Sequence, residues 1–394
     1  MKKHVLPIAA AAGAAFFLAS CQEVIFDTIR DEIALDDAQI TGDVNSIVRF
    51  LVKDMEITTS TTADDGTVTT TTTTEDHECL FVQNGTIWMK DVNEAVASGA
   101  GTAGVTSGTW SKVSQPASNI IKLAADSTYL YALAAPTESD TDDTGENIET
   151  GRAVYYTDDP LAGSWTAVDF GDSYGSTIST SYSVNLFCTN SPQSANRHAF
   201  VNIGSLAVFE LDGGTATDIT SSTAYSYASA STITAGAVPA GAKSATVLGS
   251  AVYLSTGYAM TSNETYDTES TYIYWSDSDD LYYSADGSTT ASVEPGDTIY
   301  SLAYTADYML TGTDEGLVYV TLTDNVPGST ADVTNADSTL SSYYMVPAVL
   351  ALDPGLSALA GDLYGSTTFS GTSASFSNVV LWGYYASRGK WNCE

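Results

Sequence analysis

Apolar and polar positions along this chain alternate over short runs almost everywhere and show a helical period almost nowhere. An apolar run, a turn and a second run ending in small residues recur. Instances are Ile121-Lys122-Leu123-Ala124 with Tyr129-Leu130-Tyr131-Ala132, Thr246-Val247-Leu248-Gly249 with Val252-Tyr253-Leu254-Ser255, and Tyr300-Ser301-Leu302-Ala303 with Tyr308-Met309-Leu310-Thr311. A shorter instance is Val346-Pro347-Ala348-Val349-Leu350-Ala351. Each reads as a hairpin of two largely buried strands. A second signature closes the units: Gly108-Thr109-Trp110-Ser111-Lys112-Val113 and Gly163-Ser164-Trp165-Thr166-Ala167-Val168, the latter after Tyr155-Tyr156-Thr157-Asp158-Asp159. Helical spacing is confined to Ile25, Ile29 and Ile33, where Val24 and Phe26 blur it, and to a turn or two between Asp91 and Ala103.

Residues 56–75 break the apolar pattern with threonine at nearly every position around Asp65-Gly66. Asp-Gly is a type I′ turn signal and threonine a strong strand former, so the segment predicts a hairpin pairing Thr62 with Thr69 and Thr59 with Thr72. Neither face has apolar residues to bury, so the ribbon is expected to project into solvent, with Ile57 and Leu80 near its base and His77 at the join.

The hairpin units recur at about 45–60 residues, the length of a four-stranded propeller blade. Tyr282-Tyr283-Ser284-Ala285-Asp286-Gly287, ahead of Val293, resembles the Asp-box of bacterial neuraminidase repeats, with Ser284, Asp286 and Thr290 at matching offsets. Ser288 stands at the motif's second Gly and Ala291 at its Trp, so the resemblance implies a structural turn in which the Asp caps a hairpin and a Trp wedges between sheets. The fold expected is an all-β propeller of about six or seven antiparallel blades, with tandem β-sandwiches as the alternative. Trp110 and Trp165 are expected at equivalent, mostly buried places in successive blades.

The N-terminus adds an address. Lys2 and Lys3 precede an apolar stretch, Val5 to Leu18, too short to span a membrane, and Leu18-Ala19-Ser20-Cys21 resembles the lipobox of bacterial lipoproteins. The resemblance implies a signal peptide over residues 1–20, lipidation of Cys21 and a tether over 21–44. The propeller-like domain is then 45–394, in a lipoprotein of the bacterial envelope facing periplasm or exterior. Its acyl chains would hold it to the membrane without a spanning helix. The formal charge of −35 deepens by two once Lys2 and Lys3 leave with the signal. So acidic a surface repels nucleic acid and anionic headgroups. Beyond Cys21 there are only Cys79, Cys188 and Cys393, too few for a disulfide framework, and each reads as a small buried residue.

Candidate chemistry is sparse. Asp140-Thr141-Asp142-Asp143-Thr144-Gly145 opens like an EF-hand loop, but Gly151 stands where the bidentate Glu belongs. Asp140, Asp142 and Glu146 are left as a loose Ca²⁺ candidate, against the simpler reading of a solvated acidic loop. The Ser276-Asp277-Ser278-Asp279-Asp280 run reads the same way. The few arginines lie outside the setting that sialidases share, no carboxylate pair stands out for a glycosidase, and no Gly-x-Ser-x-Gly elbow accompanies His77 or His198. Trp382, Tyr384, Tyr385 and Trp391 near the C-terminus read either as an aromatic ligand platform or as the last strands of the ring. The function expected is non-catalytic binding of a protein or glycan partner through propeller loops. An envelope assembly accessory and a glycan hydrolase are the alternatives.

Overall fold

The structure is a computed structural model. It describes residues 46–62, 65–91, 111–136, 138–141, 147–149, 151–189, 194–230, 232–263, 272–287, 289–295, 298–304, 308–313, 317–332, 349–351, 369–370, 375–376, 381–385 and 390–393. The leader, Cys21, the tether and Trp110 lie outside these residues.

Six four-stranded sheets and a three-stranded one follow one another along the chain. Sheet I holds Ile47–Thr62, Val68–Gln83, Ile87–Asp91 and Ser111–Lys112, and sheet II holds Ile120–Ala125, Leu130–Ala134, Ala153–Thr157 and Thr166–Ala167. Sheet III holds Val184–Cys188, Ala199–Ile203, Ala207–Asp212 and Thr215–Asp218. Sheet IV joins Ser244–Leu248 and Ala251–Ser255 to an earlier hairpin, Ser226–Ser229 and Thr232–Ala235. Sheet V runs Met260–Ser262, Ile273–Asp277, Asp280–Ser284, Ala291–Val293, and sheet VI runs Ile299–Tyr304, Tyr308–Thr313, Leu317–Thr323, Val326–Asp332. Sheet VII is Val349–Ala351, Leu381–Tyr385 and Lys390–Cys393. The inner strands, 47–62, 120–125, 184–188, 244–248, 260–262, 299–304 and 349–351, lie against one another in that order. This is an all-β, β-propeller-like fold, with the sheets as blades and the inner strands around its axis.

The recurring sequence units are the inner hairpins of blades II, IV and VI, and Trp165 directly precedes the fourth strand of blade II. Trp165 is half-buried rather than mostly buried, because its Nε1 reaches out to donate to Ser114 O at 3.0 Å while its ring packs on the core between blades I and II. That core stacks Val48, Phe50, Cys79 and Phe81 against Leu123, Leu130 and Ala132, and the opposite face of blade II packs Tyr131, Leu133 and Val154 against Leu186, Val201 and Phe209. Alternate residues of each strand serve the two neighbouring interfaces, so blade strands read as continuous apolar runs. Each large side chain fully buried in them contributes about 1.5–3 kcal/mol.

One pair departs from the antiparallel expectation. Ser226–Ser229 lies parallel to Ala251–Ser255. In the other four-stranded blades the chain meanders from one edge of the sheet to the other, whereas here the outer hairpin comes first. Only four residues separate Ser255 from the next inner strand at Met260, too few for an outer hairpin to follow. The borrowed hairpin therefore meets the second strand head to head.

The threonine hairpin forms, with its register one residue from that expected. Thr62 pairs with Val68, Thr61 with Thr69, Thr59 with Thr71 and Thr58 with Thr72. Gly66 takes φ +84°, while Asp65 acts through its side chain. Its carboxylate instead accepts Thr67 N–H at 2.9 Å, closing a five-residue loop in place of a two-residue type I′ turn. A one-residue slip would turn a half-buried strand inside out; here threonine lies on both faces and nothing opposes it. The ribbon leaves blade I at a bulge between Val52 and Met55, where Asp54 sits at φ +53° and donates its N–H to Asp76 Oδ1 at 3.0 Å. Inside the bulge Val52 pairs with buried His77 and Arg49 with fully buried Leu80; outside it, residues 68–76 are exposed. Ile57 pairs with Thr73 beyond the bulge, along the projecting ribbon, and Leu80 lies inside it on the buried side.

Candidate functional site

The inner strands all start at the same end of the axis, and polar side chains link them there blade to blade. Ser46 Oγ donates to Gln83 Oε1 (2.7 Å) and accepts Leu123 N–H (2.9 Å), while Gln83 Nε2 donates to Ile121 O (2.9 Å), tying blade I to blade II. Lys122 Nζ donates to Asn185 Oδ1 (2.7 Å) and Asn185 Nδ2 to Lys243 O (3.3 Å), carrying the chain of contacts to blades III and IV. Lys243 Nζ lies 4.7 Å from the centre of the Tyr258 ring, and that ring lies 5.3 Å from Tyr300 at a 43° tilt. Lys122, Asn185, Lys243, Tyr258 and Tyr300 thus come from blades II to VI in order and form a band around the axial mouth.

Local sequence explains the band. Lys122 follows a bulge at Ile120, which turns it out of the alternating apolar face. Burial pushes its ammonium down to about 8, with the Cys188 thiol acting weakly the other way. Lys243 precedes inner strand 244–248 and donates its N–H to Ser255 O. Tyr258 sits in the tight connection between blades IV and V and is 51 % exposed. Gly257 beside it permits that connection, since a Cβ there would fall 1.6 Å from Ser276 O. Cation and rings together offer flat apolar faces rimmed by positive charge.

An ion pair joins blades III and I. Buried Arg197, just before the second strand of blade III, reaches Glu78 of blade I at 2.6 Å. Nearby, His198 Nδ1 lies 2.8 Å from Glu210 Oε1, and Tyr225 O–H donates to the other carboxylate oxygen. Burial pushes the Glu210 carboxyl up, but the hydrogen bonds from His198 and Tyr225 outweigh it and hold the group below its usual value. Phe200 stacks on His198 and Phe187, so the cluster sits between blades III and IV as a polar knot in their interface.

The residues singled out in the sequence fall elsewhere. Ser284 and Asp286 build the turn expected of an Asp-box: Ser284 Oγ donates to Asp286 Oδ1, which also accepts Thr289 N–H (2.6 Å), while Oδ2 accepts Thr289 Oγ1. Asp159 caps the matching turn of blade II through Leu161 and Ala162 N–H, with Thr157 in the place of Ser284. Asp140 pairs with Ile148 in a separate two-stranded hairpin, and Asp142 and Glu146 lie outside the described residues. Among the described residues, no three His, Cys, Asp or Glu side chains gather into a metal-holding group. Trp382 pairs with Cys393 and Tyr384 with Trp391 within sheet VII, so Trp382, Tyr384 and Tyr385 lie on its middle strand and Trp391 on its outer one. Cys79 and Cys188 are core side chains, and burial pushes the Cys188 thiol up.

No family model matches the chain, and no curated protein does. Solved structures do. Streptogramin B lyase aligns at TM-score 0.41 and 8 % identity over 88 % of this chain and 98 % of that one. A lectin of the fungus Aleuria aurantia, described as a six-bladed β-propeller with a fucose recognition mode, aligns at 0.35 and 12 % over 89 % and 94 %. Sqt1 of Saccharomyces cerevisiae aligns at 0.33 and 10 % over 90 % and 86 %. Likenesses of this degree say nothing of ligand or chemistry.

Proposed function

We propose that this chain is a lipid-anchored protein of the bacterial envelope whose propeller domain binds a glycan or protein partner at the axial mouth and carries out no chemistry on it. The observation that carries the reading is Tyr258, a large ring left half in water at the mouth, flanked by Lys243 and Tyr300 from the neighbouring blades. Tyrosine contributes wide contact area at low entropic cost, which suits a recognition surface. The linked inner strands beneath it, joined by short side-chain bonds, form a rigid base that needs little reordering on binding.

The anchor part rests on Lys2, Lys3, the apolar run and Leu18-Ala19-Ser20-Cys21. Cys21→Ser is expected to release the protein from membranes or leave it unprocessed; retention after a high-salt wash would remove the anchor from the proposal. For the binding part, purified mature domain is mixed with envelopes of the producing bacterium and sedimented. The wild type is expected to co-sediment and a Tyr258→Ala, Tyr300→Ala variant of unchanged melting temperature to stay in solution. Equal partition of the two would contradict a site at the mouth.

A further inference from the structure

We infer that the axial mouth is built for a sugar carrying a single carboxylate, a glycuronosyl residue, whose ring lies on Tyr258 and Tyr300 and whose carboxylate is taken by Lys243 and Lys122. The inference rests on the mouth being the binding site and goes beyond it by naming the ligand chemistry.

The charge arrangement carries it. This chain has 48 acidic and 13 basic residues, so carboxylates are the commonest partner available to any lysine. Yet the hydrogen-bond acceptor given to Lys122 is the neutral Asn185 amide, and Lys243 is set over the neutral Tyr258 ring. Lys122 is half-buried among inner strands where burial disfavours its charge, and among the described residues the ionisable neighbour acting on it is the Cys188 thiol rather than a carboxylate. An ammonium has three donors, and a single amide oxygen uses one of them. Desolvating a cation without a counter-ion is costly, and an arriving carboxylate would offset that cost with charge-assisted hydrogen bonds. Asn185, holding Lys122 through Oδ1 and Lys243 O through Nδ2, sets the spacing of the two lysines around the axis.

The rings select the rest of the ligand. Tyr258 and Tyr300, packed on each other at 5.3 Å between ring centres and tilted by 43°, form one continuous aromatic surface. The apolar C–H face of a pyranose can lie on such a surface, and in a glycuronosyl residue the carboxylate projects from the same ring. Net charge sets the upper limit on ligand charge. A polyanion would meet long-range repulsion from a surface of formal charge −35, while one carboxylate at the lysines would not.

The matched probes are 4-nitrophenyl β-D-glucuronide and 4-nitrophenyl β-D-glucoside, which share ring and aglycone and differ by the carboxylate. Binding to the mature domain is measured by titration calorimetry. The glucuronide is expected to bind about tenfold more tightly. Lys243→Met and Lys122→Met are each expected to collapse that preference, and Tyr258→Ala to weaken both probes. Lys122→Arg keeps the charge and should retain the preference, which separates charge from packing. Equal binding of the two probes, still weakened by Tyr258→Ala, would overturn carboxylate recognition and leave the binding site standing. Binding of neither probe, or binding indifferent to Tyr258→Ala, would overturn the glycuronosyl inference, and the mouth itself would fall only if the Tyr258→Ala, Tyr300→Ala variant also co-sedimented with envelopes as the wild type does.

Discussion

Lys122 shows how a single residue can be plain in the sequence and its setting hidden. It interrupts the apolar run Ile121-Lys122-Leu123-Ala124, a visible anomaly in a buried strand. What the spacing cannot show is the bulge at Ile120 that turns it toward the axis, or Asn185 arriving from another blade. Its folded pKa of about 8 lies below the ordinary 10.5, so between those values the unfolded chain binds the proton that the folded chain has released. Stability should therefore rise with pH across that window and carry the full burial cost below it. The Cys188 thiol, held up by burial, acts oppositely from about pH 9, where the unfolded thiol ionises, and Tyr131, Tyr225 and Tyr274, likewise held above their ordinary value, do so past about pH 10. Between about pH 8 and 10 the urea midpoint of the wild type is expected to rise relative to that of Lys122→Met, which lacks this lysine-dependent part of the slope. Identical slopes in the two would contradict an enclosed Lys122.

At the scale of elements, the threonine ribbon was legible as a hairpin because Asp65-Gly66 and the flanking threonines leave it few alternatives. Its register was not, because the Asp65 side chain, rather than a type I′ backbone, sets the loop. A two-stranded ribbon is marginal in water and needs a base; Val52–His77 and the strands behind them supply one. Ile47–Thr62 is the first strand of its sheet, and Val68–Gln83 meets its other neighbour only through residues 79–83. Alternate ribbon amides therefore face the partner strand and the others face outward. Hydrogen exchange on the mature protein is expected to show alternating protection over 55–62 and 68–75, lost in Gly66→Val because Gly66 sits at φ +84°. Uniform fast exchange in the wild type would contradict the ladder. The Asp-box turn was equally local and equally legible. The Trp165 wedge was legible only in part, since its bond to Ser114 O joins two blades.

For the whole molecule, the repeat of apolar hairpins gave away blades II, IV and VI, whose inner strands lie four or fewer residues apart. Blade I was masked by its long ribbon, blade III by the 189–198 loop and blade V by its short first strand. Blade IV's reversed hairpin follows from chain order, which no periodicity reports. The mouth was the least legible feature, because its five residues come from blades II, III, IV and VI and from the connection between IV and V, and only the ring of inner strands brings them together. The same assembly makes the site testable without knowing the ligand. Hydroxyl-radical footprinting on intact cells, compared with the purified mature domain, reads the side-chain exposure of Tyr258 directly against that of Tyr182, a surface tyrosine that is 37 % exposed. Binding at the axial mouth requires Tyr258 to lose reactivity on the cell while Tyr182 keeps it. Equal reactivity of Tyr258 in the two settings would contradict the mouth as the binding site.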